Sequence, residues 1–143
     1  MYKRQNIFGQ VSNSAITGSG FIISEDGYIL TNYHVVEDAD KQGLETLVML
    51  YSGEEYPAKI VGKDADNDVA LLKIEASGLT PVKIGSSESL LVGEKIYAIG
   101  NPLGELTYTF TDGMVSALDR RINVDSNTEI NMFQISACLL YTS

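Results

Sequence analysis

The sequence has 143 residues, of which 44% are hydrophobic and 20% charged, the profile of a folded globular protein rather than a disordered or membrane-spanning one. Its formal net charge of -9 argues against nucleic acid or an anionic membrane as partner, because either needs a basic surface. One cysteine, Cys138, and one histidine, His34, exclude an intramolecular disulfide and a cysteine–histidine metal cluster, so neither metal nor cofactor is expected.

No apolar run approaches the roughly 18 residues of a membrane span, and Met1 to Gln10 lacks the apolar stretch of a signal peptide. Any targeting element is therefore expected outside this sequence. All-β barrels often need about 200 residues to close, so a fragment is compatible with the length.

Short β-branched and aromatic runs recur at intervals of roughly ten residues, divided by Gly, Asn, Asp and Ser, which predicts an all-β sandwich or barrel. The clearest signal is Phe21-Ile22-Ile23 leading through Ser24-Glu25-Asp26-Gly27 into Tyr28-Ile29-Leu30. It predicts a hairpin whose Asp-Gly turn supplies a positive φ. No substantial helix is expected, the best local candidate being a brief turn around Asn32 to Val36. Further strands are predicted at Leu47 to Tyr51, Tyr56 to Gly62, Val69 to Ile74 and Val82 to Ile84. Others follow at Lys95 to Ile99, Thr107 to Thr111, Met114 to Ala117 and Ile130 to Ile135. Ser52-Gly53 and Asp112-Gly113 read as turns between strands. A seam near Gly85 to Leu91, where Ser86, Ser87, Glu88 and Ser89 interrupt the pattern, divides the chain into domains at 1–85 and 86–137.

His34 lies in Leu30-Thr31-Asn32-Tyr33-His34-Val35-Val36, where a buried strand gives way to a turn. That position suits a side chain held at a cleft edge, although a lone histidine near apolar neighbours is also a common structural residue. Asp68 opens Asp68-Val69-Ala70-Leu71-Leu72-Lys73-Ile74, and a carboxylate at the mouth of a buried strand needs a partner. If the partner is His34, the aspartate accepts a hydrogen bond from the Nδ1 proton, fixes the tautomer and stabilises the imidazolium. The alternative is that Asp68 caps the Asp64-Ala65-Asp66-Asn67 turn, in which Asp64 and Asp66 are ordinary turn residues.

These segments together resemble the HtrA/DegP family of serine proteases. Gly18-Ser19-Gly20-Phe21-Ile22-Ile23, then Asp26 to Val36, resembles the opening of that protease domain, in which a glycine-flanked strand precedes the catalytic histidine. Asn67 to Ile74 is similar to the strand bearing its catalytic aspartate. Val92-Gly93-Glu94, Ala98-Ile99-Gly100-Asn101-Pro102-Leu103-Gly104 and Thr111-Asp112-Gly113-Met114-Val115-Ser116-Ala117 continue the likeness in order, over roughly residues 14 to 137. The resemblance implies a trypsin-like double β-barrel with the active site between the barrels, the first barrel nearly complete here and the second partial. It makes His34 and Asp68 the catalytic pair. It further implies unfolded or misfolded polypeptides as substrates, a homotrimer-based assembly, a C-terminal PDZ domain and an extracytoplasmic location.

After Ile130-Asn131-Met132-Phe133-Gln134 the family pattern runs through Thr-Asp-Ala-Ala to Gly-Asn-Ser-Gly-Gly, which holds the nucleophile. Here Ile135-Ser136-Ala137 follows, and the pattern then departs. Counted from Gln134, the serine is expected about one residue past the end. Ser143 lacks the glycines that aim two backbone N–H groups at an oxyanion, and nothing places the Cys138 thiol within reach of His34. Residues 138–143 read as a non-native tail, because the hexapeptide resembles a translated transposase-end sequencing adapter; codons other than TGT CTC TTA TAC ACA TCT in the DNA sink that reading. A chain without the nucleophile is expected to be inactive. The competing expectation is a non-catalytic β-barrel binding module, such as a degenerate protease acting as a chaperone.

Overall fold

The computed structural model describes residues 4–5, 11–12, 16–100, 109–123 and 129–137. The expected tail at 138–143, with Cys138 and Ser143, and the Asn101-Pro102-Leu103-Gly104 segment lie outside the described residues. The described chain is nearly all-β, as its strand pattern predicts, and it divides into two compact units, Met1–Lys83 and Ile84–Ser143.

In the first unit, β1 (Arg4–Gln5) pairs with β2 (Val11–Ser12). A larger antiparallel sheet is built from β3 (Gly20–Ile22), β4 (Tyr28–Thr31), β5 (Thr46–Met49), β6 (Glu55–Asp64) and β7 (Val69–Ile74), ordered β3-β4-β7-β6-β5. The expected hairpin is β3–β4, with Phe21 opposite Leu30 and Ile22 opposite Ile29. Its turn carries Gly27 at φ +102°. A Cβ on Gly27 would lie 2.4 Å from the Ile74 carbonyl oxygen, so glycine serves both the turn and the close approach of β7. Period-2 alternation turns Tyr56, Ala58 and Ile60 of β6 inward, towards a core of Ile29, Tyr33, Val36, Ala70, Leu72 and Ile74.

The expected brief turn at Asn32 to Val36 is instead a full α-helix, α1 (Tyr33–Gln42). Tyr33, Val36 and Ala39 recur every three residues and form a buried stripe one residue wide. Apart from Val35, which is half-buried against the core, the rest of the helix is charged or polar, so its apolar signal is too narrow for the period to stand out. Lys41 pairs with Glu37 one turn earlier at 2.6 Å, and Gly43 ends the helix in the left-handed conformation at φ 65°.

Val82 to Ile84 does not form the expected strand. Pro81 has no N–H to offer a ladder, and the Val82 N–H donates a single bond to the Ile22 carbonyl at 2.8 Å. The Ser52-Gly53 turn is present, with Gly53 at φ +90° donating to the Leu50 carbonyl.

The second unit opens with a short 3₁₀ turn at Ser87–Ser89, capped by the Ser86 hydroxyl accepting from the Glu88 N–H. An antiparallel sheet follows, ordered β10-β9-β8, from β8 (Lys95–Gly100), β9 (Thr109–Asn123) and β10 (Glu129–Ile135). Here the predicted pair of strands with a turn at Asp112-Gly113 is corrected to one continuous strand, β9; Thr107 lies outside the described residues. Asp112 pairs with Tyr97 and Gly113 with Ile96. The glycine answers a close approach rather than a turn, since its Cβ would sit 2.4 Å from the Ala137 nitrogen. Ser136 holds the end of β10 in place: its hydroxyl accepts from the Met114 N–H at 2.9 Å and its own N–H donates to the Met114 carbonyl.

Candidate active site

The two polar residues singled out from sequence meet in the first unit. His34 stands in the first turn of α1 and Asp68 immediately before β7. The His34 Nδ1 and Asp68 Oδ2 atoms are 2.7 Å apart, and the His34 backbone N–H donates to Asp68 Oδ1 at 2.8 Å. Each carboxylate oxygen thus takes one bond from the same residue. The Asp68 carbonyl accepts from the Tyr33 N–H at 3.2 Å, so the start of the helix is docked on Asp68 through both its backbone and its side chain.

Local sequence explains why Asp68 is available. The turn before it is closed by Asp64, which accepts from the Asn67 N–H at 3.1 Å and from the Asn67 amide at 2.8 Å. The alternative that Asp68 caps this turn is therefore corrected: Asp64 does so. Asp68 itself sits at φ +53°, a left-handed conformation that short polar residues tolerate at a cost of about 1 kcal/mol. That conformation follows the tight turn and precedes the regular ladder of β7.

Burial is the largest influence on the Asp68 carboxyl and pushes its pKa up. The His34 backbone N–H, the His34 ring and the Asn32 amide together outweigh it and hold the carboxyl below the usual aspartate value. An ionised Asp68 accepts a hydrogen bond from Nδ1–H, so the neutral ring keeps its proton on Nδ1 and presents the Nε2 lone pair. The His34 side chain is 67% exposed and that of Asp68 30%. A protected carboxylate behind an accessible imidazole is the arrangement of a general base with its orienting partner.

Sequence reasoning missed Asn32. Its side-chain amide donates to the Asp68 carbonyl at 3.2 Å and to Asp68 Oδ2 at 3.1 Å. It also missed a polar network on the far side of α1, where Tyr33 donates to Asp40 at 2.9 Å and Lys63 pairs with the same carboxylate. These bonds to Lys63 and Tyr33 lower the Asp40 pKa and raise those of Lys63 and Tyr33. The contacts of Asn32 with Asp68 and of Lys63 with Asp40 join residues distant in sequence and leave no signal in spacing. Among the described residues, no group of three or more His, Cys, Asp or Glu side chains could hold a metal ion, and no helix is long and apolar enough to cross a membrane.

Comparison with known proteins gives a consistent picture. Residues 18–142 match the family model of the trypsin-like peptidase domain. A probable periplasmic serine endoprotease DegP-like protein of Ectopseudomonas mendocina is 48% identical over 85% of this chain and 25% of its own length. The like-named protein of Halomonas elongata is 51% identical over 76% of this chain and 22% of its own. The chain thus spans about a quarter of the length of these curated relatives. Among solved structures, the HtrA-type protease AlgW, determined with a decapeptide, superposes with a TM-score of 0.74 at 38% identity, covering 84% of this chain and 35% of that one. Deg5 gives a TM-score of 0.67 at 39% identity, over 83% and 61%.

Proposed function

Because the chain belongs to the trypsin-like peptidase domain family, with DegP-like serine endoproteases among its relatives, we propose that His34 and Asp68 are the general base and orienting carboxylate of a serine endopeptidase. The observation that carries this reading is the 2.7 Å contact between His34 Nδ1 and Asp68 Oδ2, made by an imidazole whose side chain is largely exposed and whose Nε2 is thereby the nitrogen left for a substrate-side partner. In the parent protein His34 takes the proton of a serine hydroxyl supplied by residues after Ala137, then returns it to the leaving amine. Asp68 stays ionised throughout, holding the tautomer and stabilising the transient imidazolium.

The proposal extends to unfolded or misfolded polypeptides as substrates, a homotrimer-based assembly with a C-terminal PDZ domain, and an extracytoplasmic site of action. What supports these is the likeness to the DegP-like and HtrA-type proteins and the periplasmic wording of the relatives' names. We also assign residues 1–85 to the first barrel and 86–137 to the start of the second. The test is casein cleavage by the intact parent protein and by its His34→Ala form. Activity in the first and its loss in the second support the enzyme reading. A parent that lacks Gly-x-Ser-Gly after Ala137 and binds casein without cutting it is a binding module instead.

A further inference from the structure

Asn32 occupies the N-cap of α1, at φ -72° and ψ 143°, yet its side chain makes no capping hydrogen bond. Asparagine is favoured at this position because its side-chain oxygen accepts from the N–H of the second or third helical residue. Here the N–H of His34, the second residue of α1, is taken by Asp68 Oδ1, from the residue just before β7. Asp68 has assumed the capping task, and Asn32 has been turned to a different one.

That task is defined by two acceptors. The Asn32 nitrogen lies 3.1 Å from Asp68 Oδ2 and 3.2 Å from the Asp68 carbonyl. Both partners only accept, so the NH₂ group and not the oxygen must face them. Oδ2 is also the atom that accepts the hydrogen bond from His34 Nδ1–H. An oxygen that accepts from two fixed donors cannot turn about the side-chain torsion without losing both bonds.

We propose that Asn32 is a positioning residue for the catalytic pair, its side-chain amide clamping the Asp68 carboxylate in the rotamer that accepts the hydrogen bond from His34 Nδ1–H. The inference rests on the reading of His34 and Asp68 given above. It differs from a structural cap in one respect that chemistry can separate: the clamp needs a donor at residue 32, whereas a cap needs an acceptor. Asn32→Asp keeps a side chain that caps as well as asparagine and adds a charge favourable to a helix N-terminus, but it removes the donor and sets a second carboxylate beside Asp68.

The test uses the 143-residue chain labelled with ¹⁵N and ¹³C, with Ile99→Lys and Phe110→Lys in the second unit throughout to remove the exposed apolar cluster there. His34 is the sole histidine, so the ring nitrogens give one set of signals, and their shifts report the tautomer of the neutral ring. In the chain that keeps Asn32 the Nδ1–H form should dominate. Asn32→Ala should reduce the ratio of Nδ1–H to Nε2–H by about fivefold, the ordinary net worth of one hydrogen bond. The titration midpoint of the Asp68 carboxyl carbon should rise in Asn32→Ala, through the lost donor, and rise further in Asn32→Asp, through like charge. If Asn32→Ala disrupts α1, Asn32→Asp decides alone. An Asn32→Asp chain with tautomer ratio and Asp68 midpoint unchanged overturns the clamp and returns Asn32 to a structural cap. Asp68→Asn is the separate control: if it leaves the Nδ1–H preference intact, the reading of the pair itself fails, not only the role of Asn32.

Discussion

His34 is bound twice by Asp68, once through its ring and once through its backbone N–H. One carboxylate therefore fixes both where α1 begins and how the imidazole is oriented upon it. The helix cannot shift along its axis without breaking the ring contact, and the ring cannot rotate without giving up a short bond to a charged acceptor, a class worth about 1.5–3 kcal/mol.

This double contact sets the outcome of Asp68→Asn in the parent protein. The amide oxygen can still accept from the His34 N–H, so the helix start survives, but the NH₂ group then faces Nδ1 and selects the Nε2–H tautomer. A ring protonated on Nε2 has no lone pair for the serine. Turnover should fall by about 10⁴, the loss seen for the corresponding change in a chymotrypsin-like enzyme. Casein hydrolysis is the assay, and a rate within threefold or so of the unsubstituted protein contradicts the assignment.

Much of this geometry was legible because it is local. The β3–β4 hairpin follows from Asp26-Gly27, and β7 follows from an unbroken apolar run at residues 69–74. The pairing of His34 with Asp68 was expected as one of two possibilities, and the competing turn-capping role went to Asp64. What stayed hidden depends on tertiary contact. The length of α1 is set by three residues packing on the sheet, the role of Gly113 by the approach of Ala137, and the bonds of Asn32 by a residue 36 positions away.

The titrating groups of the first unit give its stability a definite pH dependence. Asp68, Asp40 and Asp64 all have folded-state pKa values below the ordinary 3.8. The folded state therefore binds fewer protons than the unfolded one as these groups titrate. Their contribution is fully present above the unfolded value and is lost as pH falls through the lowered folded values. Lys63 and Tyr33 are raised above 10.5 and 10.0, so their contribution holds below those values and is lost as pH rises through the folded ones. The Tm of the first unit should be flat from about pH 5 to 9 and fall on either side. Asp40→Asn should flatten both limbs, because the Asp40 carboxylate serves the acid limb directly and the alkaline limb through Lys63 and Tyr33. A Tm equal at pH 3 and pH 6 in calorimetry contradicts this.

The second unit presents Tyr97, Ile99 and Phe110 on one face of β8 and β9, each more than half exposed. The rings of Tyr97 and Phe110 stack with centroids 5.2 Å apart, and Ile99 pairs with Phe110 across the strands. An exposed apolar cluster on a sheet face drives self-association. The 143-residue chain should therefore form soluble oligomers or aggregates at micromolar concentration, and Ile99→Lys with Phe110→Lys should shift it towards monomer in size-exclusion chromatography with light scattering. Monomeric elution of the unsubstituted chain, with a sharp and reversible unfolding transition of residues beyond about 90, counts against the expectation.

Two turn glycines separate conformational strain from steric conflict. Gly27 and Gly53 both have positive φ, at +102° and +90°, so alanine at either position meets a backbone cost of about 1–2 kcal/mol. At Gly53 nothing lies within 4 Å of an added Cβ, and that cost should be the whole effect. At Gly27 the Cβ would meet the Ile74 carbonyl oxygen at 2.4 Å. This carbonyl is backbone and cannot swing aside. The Ile74 N–H also donates to the Gly27 carbonyl at 3.0 Å, and Ile74 is fully buried in the core. Relief would require β7 to move away from the hairpin, parting the strand that follows Asp68 from the strand that leads to His34. Gly27→Ala should thus cost about 2 kcal/mol more than Gly53→Ala, read as a difference in urea midpoints at unchanged m-value. Equal losses for the two would mean that β4 and β7 can separate freely at this end, leaving the approach of Asp68 to His34 without a rigid frame.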